Sequence, residues 1–150
     1  MIILPKRSTA ALVIMSAVWV ASTALVLGQD AKPASRTVWD KIYTEAQAKR
    51  GETAYFDNCS ACHGEDLTGG GNAPSLTGED FAFSWGDQTL GDLFERIRTL
   101  MPSDRPNSLS PDVYRDIVSF ILKTNKFPAG DAELGTDVDT LKQIKITKAP

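Results

Sequence analysis

A chain of 150 residues has room for one domain with short flanks. Its 42% hydrophobic content excludes a disordered polymer, and 19 acidic against 16 basic side chains exclude the basic face that non-specific nucleic-acid binding requires. One histidine and two cysteines exclude a His-rich metal site and a multi-disulfide scaffold.

The chain opens with Lys6 and Arg7, followed by an uncharged run from Ser8 to Leu27 that ends at Gly28-Gln29-Asp30. A basic start, an apolar stretch and small residues at Val26 and Gly28 are the pattern of an export signal cut after Gly28. The expected location is therefore the periplasm. The alternative is an uncleaved anchor, since the run approaches the length of a bilayer span, and membrane association is expected only in that case. No cysteine lies near the cut, which excludes a lipoprotein anchor. Removing residues 1–28 takes two of the 16 basic side chains and no acidic one, leaving 14 against 19, a net of -5. It also takes Met1 and Met15, so Met101 is then the sole methionine beside the sole histidine, His63.

Residues 29–43 are expected to form an N-terminal extension whose amphipathic part, Val38 to Tyr43, docks on the surface of a domain spanning 44–127. Thr44-Glu45-Ala46-Gln47 has the form of a capping box and predicts a helix from about Glu45 to Asp57. Gly51 in its middle costs about 1 kcal/mol relative to alanine, so close packing is the expected compensation. Gly64 to Gly78 carries six glycine and proline residues and is expected to be loop. A second helix is predicted from about Leu90 to Leu100, with Thr89 and Asp92 at its start and Pro102 at its end. Ser110 as N-cap and Pro111 at the first position predict a third helix to about Thr124, with Val113, Ile117, Phe120 and Ile121 on one side and Tyr114 and Val118 widening it. Residues 128–150 are expected to be an extended tail, with at most a short helix near Asp139 to Gln143 and a weak alternation at Ile144 and Ile146. Three helices and long loops make a thin core, and a domain of this kind needs a bound object to pack around.

Cys59-Ser60-Ala61-Cys62-His63 is a C-x-x-C-H motif, the attachment signature of c-type haem. Two thiols at this spacing reach the two vinyl groups of a porphyrin while the adjoining histidine turns to the iron. Three other uses of these residues compete with haem. Zinc needs four ligands, and two cysteines and one histidine leave it one short unless a carboxylate joins. A redox-active dithiol follows a strand in a sheet domain, whereas these cysteines follow a helix. A structural disulfide three residues apart needs unusual geometry. One covalently bound haem c is the cofactor this pattern favours. A carrier haem takes His with Met or two His as axial ligands, and no second histidine exists. Met101, beside Pro102, is the remaining soft neutral side chain for the sixth position. The alternatives are that it fills the core and that the iron stays open.

With these motifs in place, the chain resembles the class I c-type cytochromes, and among them the small domains that accompany quinoprotein dehydrogenases. The resemblance spans about residues 44–124. It implies an all-α cytochrome c fold, three main helices and long loops wrapped around one covalently bound haem. It also implies that Gly51, eight residues before Cys59, lets the first and last helices cross, with Tyr55 and with Ile117 and Phe120 as contacts. Pro74-Ser75-Leu76-Thr77-Gly78 matches the family's Pro-x-Leu-x-Gly run. By resemblance the Pro74 carbonyl accepts the other ring N–H of His63, Leu76 packs against the haem, and Met101-Pro102 is the axial Met-Pro pair. Trp85 either donates its indole N–H to a haem propionate or packs on the ring. Arg96, Arg98 and Arg105 either pair with propionates or stay solvated at the surface.

His63 and Met101 together fill the iron's coordination, which predicts outer-sphere electron transfer rather than an enzyme. The expected function is a periplasmic one-electron carrier between a dehydrogenase and an acceptor such as a terminal oxidase. Its partners would be transient redox proteins that favour an acidic surface. The alternatives are a dedicated subunit of a quinoprotein dehydrogenase complex, whose partner residues 29–43 and 125–150 would clasp unless they merely cover the domain, and a haem enzyme or gas sensor with a labile sixth ligand.

Overall fold

The computed structural model describes residues 36–149, and the export signal and its cut fall outside them. Helix α1 (Glu45–Asn58) begins at the capping box: the Gln47 N–H donates to the Thr44 hydroxyl and the Thr44 N–H to the Gln47 side chain. A one-turn helix α2 (Ser60–His63) follows without an intervening loop. Then come α3 (Gly78–Trp85), α4 (Leu90–Leu100) and α5 (Pro111–Thr124). Thr89 and Asp92 form a second reciprocal box at the start of α4, and the Ser110 hydroxyl caps α5 by accepting from the Val113 N–H.

The helix pair α1 and α5 is the frame. A Cβ at Gly51 would lie 1.8 Å from the Asp116 carbonyl oxygen, so the two backbones touch where any side chain would hold them apart. That contact offsets the helix-propensity cost of the glycine. Around it Tyr55 and Phe120 pack at 5.4 Å between ring centroids, and Tyr114, Ile117, Val118, Ile121 and Leu122 are buried along α5. The Asp116 carboxylate, at the same crossing, accepts from Arg50 at 2.7 Å and from Arg115 at 3.1 Å.

Two sequence expectations are corrected at the flanks. Val38, Ile42 and Tyr43 do not sit on the domain surface; all three belong to the buried core. Residues 128–149 are not a free tail: Leu134, Leu141, Ile144 and Ile146 are buried in the same cluster. A short helix α6 (Val138–Leu141) lies so close to α4 that a Cβ on Gly91 would meet the Lys142 backbone nitrogen at 2.8 Å. Two short strands, β1 (Arg36–Thr37) and β2 (Ile144–Lys145), pair in parallel, and Ile146 exchanges backbone hydrogen bonds with Asp87 and Gln88. Buried Gln47 fastens this flank: its side chain donates to the Leu134 carbonyl and accepts the Leu134 N–H. Residues 36–149 thus lie within one packed unit. Helix α3 is an addition, for no element was expected between Gly78 and Thr89.

Candidate functional site

Between α1, α4, α5 and the 64–77 loop lies a cavity of about 1510 Å³, larger than the roughly 300–1,000 Å³ of ordinary small-ligand pockets. Apolar side chains from α4 and α5, Leu93, Ile97, Ile117 and Ile121, form much of its wall. Each of the seven sequence-singled residues, Cys59, Cys62, His63, Pro74, Leu76, Trp85 and Met101, lines it.

Cys59 is placed by the end of α1, where its N–H donates to the Tyr55 carbonyl. One helical turn then brings Cys62 to the same side, because residues three apart share a helix face. Both thiols are free. Burial pushes the Cys59 thiol up to about 11, with Cys62 adding to the shift and Arg105 opposing it. Cys59 is therefore a neutral thiol near neutral pH, half-buried, whereas Cys62 is exposed.

His63 is 8% exposed, and its Nδ1 lies 2.9 Å from the Pro74 carbonyl oxygen. A carbonyl only accepts, so Nδ1 carries the proton in this bond and Nε2 of the neutral ring is left with its lone pair. That is the tautomer a metal ligand needs, and the bond orients the ring. The loop is folded to supply this carbonyl. Gly64 turns the chain at a φ of 77°, and the Tyr55 hydroxyl donates to the Gly64 carbonyl at 2.7 Å. Gly69, at a φ of 81°, packs so tightly that a Cβ would lie 2.6 Å from the Ala73 carbonyl oxygen and 2.9 Å from the Pro74 carbonyl carbon. The Gly69 N–H donates to the His63 carbonyl and the Leu76 N–H to the Leu67 carbonyl, which returns Pro74 and Leu76 to the cavity.

Met101 is the C-cap of α4, in the extended conformation that the following proline favours. The Tyr114 hydroxyl donates to its carbonyl at 2.8 Å. Of the three arginines, Arg96 and Arg105 line the cavity. Arg98 stands apart, with its guanidinium 6.0 Å from the Phe94 ring centroid. Arg105 donates to the Asn58 side chain at 2.9 Å, joining the segment after Met101 to the turn before Cys59. Sequence reasoning missed Asn58 and the polar use of Tyr114. A tyrosine on the apolar side of a helix carries no signal of where its hydroxyl goes.

These residues fit a haem: two thiols one turn apart, an oriented imidazole with a free lone pair, a thioether and an apolar wall share one cavity. Among the described residues no three His, Cys, Asp or Glu side chains gather at a spacing fit to hold a metal ion by themselves.

A family model described as cytochrome C oxidase, cbb3-type, subunit III matches residues 46–121. A solved structure, the sulfane dehydrogenase SoxCD from Paracoccus pantotrophus, is similar at 24% identity and a TM-score of 0.50, over 81% of this chain and 68% of that chain, which bears on fold. No curated protein sequence matches the chain.

Proposed function

We propose, for a chain that belongs to the family described as cytochrome C oxidase, cbb3-type, subunit III, and that is a class I c-type cytochrome of all-α fold, the role of a one-electron carrier. When bound, haem supplies a single-electron Fe(II)/Fe(III) couple. Cys59 and Cys62 would hold it covalently through thioethers, and His63 and Met101 would ligate its iron. Pro74 fixes the His63 tautomer. Leu76 and Trp85 line the cavity wall, where they would limit water beside a bound haem and so the reorganisation on electron transfer. We further propose that residues 1–28 are removed on export and that the carrier works in the periplasm, between a dehydrogenase and an acceptor such as a terminal oxidase.

The observation that carries this reading is the His63–Pro74 bond inside a cavity shared with both thiols and Met101. A dedicated electron-transfer subunit, of a quinoprotein dehydrogenase or an oxidase, is the second reading, and the family's description as an oxidase subunit favours it. Against it, the described parts of the flanks that would clasp a partner, residues 36–43 and 125–149, place Val38, Ile42, Tyr43, Phe127, Leu134, Leu141, Ile144 and Ile146 in the chain's own core. An enzyme or gas sensor would need the sixth position open, which Met101 at the cavity opposes.

The test is the exported, purified protein. A carrier shows covalently added haem mass, a c-type reduced spectrum and no carbon monoxide binding without denaturation, and it elutes alone on size exclusion of the native extract. A colourless yet folded protein would overturn the cofactor. Ready carbon monoxide binding would move the reading to the open-iron class, and co-elution with a dehydrogenase to the subunit.

A further inference from the structure

The segment between α4 and α5 that delivers Met101 is packed only at its ends, through buried Pro102 and half-buried Leu109. Residues 103–108 are exposed, and Met101 itself is only partly buried. A backbone with few buried contacts opens readily. The Met101 carbonyl is one of the last carbonyls of α4, which have no partner inside the helix.

One oxygen addresses both ends of this segment. The Tyr114 hydroxyl donates to the Met101 carbonyl at 2.8 Å and accepts the Leu109 N–H at 3.3 Å. Tyr114 is 1% exposed and sits in the first turns of α5, the helix locked to α1 at Gly51. The anchor therefore belongs to the packed α1–α5 frame. Only a hydroxyl both donates and accepts in this way, and phenylalanine would fill the same space with neither bond.

We propose that Tyr114 is a positioning residue for Met101: its hydroxyl ties residues 101 and 109 to α5 and so keeps the thioether at the cavity against exogenous ligands. This rests on the reading of Met101 as the sixth ligand.

The experiment is equilibrium binding of imidazole to the oxidised, haem-loaded full chain, with global stability followed by denaturant unfolding. Tyr114→Phe is expected to lower the dissociation constant of imidazole about tenfold, the effect of one or two lost hydrogen bonds on the closed state. Val118→Ala, a buried change on the same helix, controls for general loosening, and it is expected to leave imidazole affinity unchanged. Met101→Ala separates the two inferences, and it is expected to bind imidazole tightly. If Met101→Ala binds tightly while Tyr114→Phe matches the parent, the positioning role is overturned and the ligand stands. If Val118→Ala lowers the constant as much as Tyr114→Phe, the role is mere stability and the proposal is likewise overturned. If Met101→Ala matches the parent, the ligand assignment falls and this inference with it.

Discussion

The two walls of the cavity are held in different ways. On the His63 side the chain is knotted to itself at short range: the Tyr55 hydroxyl to Gly64, Gly69 to His63, Leu76 to Leu67, and the Pro74 carbonyl to the imidazole. Each bond spans fewer than a dozen residues, and each restrains the same imidazole. On the Met101 side the restraint is a helix end, the Tyr114 hydroxyl and the Arg105–Asn58 bond, over an exposed segment. One wall is over-determined and the other rests on a few contacts. If His63 and Met101 are the ligand pair proposed above, the redundancy of hydrogen bonding predicts that the His63 end is fixed and the Met101 end exchangeable.

The comparison breaks first at the thiols. Replacing both Cys59 and Cys62 with alanine removes the proposed attachment on the stiff wall, and the chain is expected to lose most of its helical signal by circular dichroism and to purify without colour. A cooperatively folded, haem-free variant would show that the helices need no central object. The next effect belongs to the frame that both walls share. Gly51→Ala puts a methyl 1.8 Å from a backbone oxygen, so α1 and α5 must separate. We expect a loss of about 3 kcal/mol or more in denaturant unfolding, at or beyond the upper end of ordinary overpacking. A loss below about 1 kcal/mol would mean that the crossing yields easily. Met101→Ala tests the thin wall alone. It is expected to keep the haem attached, change the reduction potential and admit carbon monoxide to the reduced protein, whereas an unchanged spectrum would remove Met101 from the ligand set.

Much of this was legible because the signals are local. Thr44, Thr89, Ser110 and Pro111 start their helices by bonds or torsions within a few residues, and each predicted start matches the structure. Cys59, Cys62 and His63 are legible in the same way, since the C-x-x-C-H turn is a single helical turn, whereas Pro74, Leu76 and Trp85 rest on family resemblance and Met101 on the absence of a second histidine. What escaped is non-local or atypical. Helix α3 is eight residues long, opens on a glycine at a φ of 69° and leaves Phe83 at 93% exposure, so no apolar stripe announces it. The C-terminal flank buries only a few scattered side chains, and its partners lie far away in sequence: Leu134 meets Gln47, and Ile144 pairs with Arg36. Gln47 reads in sequence as a cap residue, and its side chain is shared between the cap and that flank. Tyr114 reads as part of an apolar face because sequence shows a ring and not the destination of its oxygen.

The smallest expected effect is a pH dependence at the start of α4, the helix that carries Met101. The Asp92 carboxylate accepts from the Thr89 hydroxyl at 2.5 Å and from the Thr89 N–H at 3.1 Å, and these bonds hold it below the ordinary carboxylate range, with Lys142 and Lys145 adding a weaker pull. Because the folded state depresses this value, the stabilisation is complete above the unfolded carboxylate's pKa of about 3.9 and is lost as pH falls through the lower folded value. Asp92→Ala is expected to lower stability by about 0.5–1 kcal/mol at neutral pH, the scale of a helix cap. Its difference from the parent should shrink as the solution is acidified below pH ~4, read as converging thermal midpoints. A difference that stays constant through that range would assign the loss to packing of the side chain rather than to its charge. If the thin wall depends on the helix that supplies it, the same variant also raises imidazole affinity slightly at neutral pH, whereas the corresponding change at the stiff frame, Gln47→Ala in the cap of α1, does not.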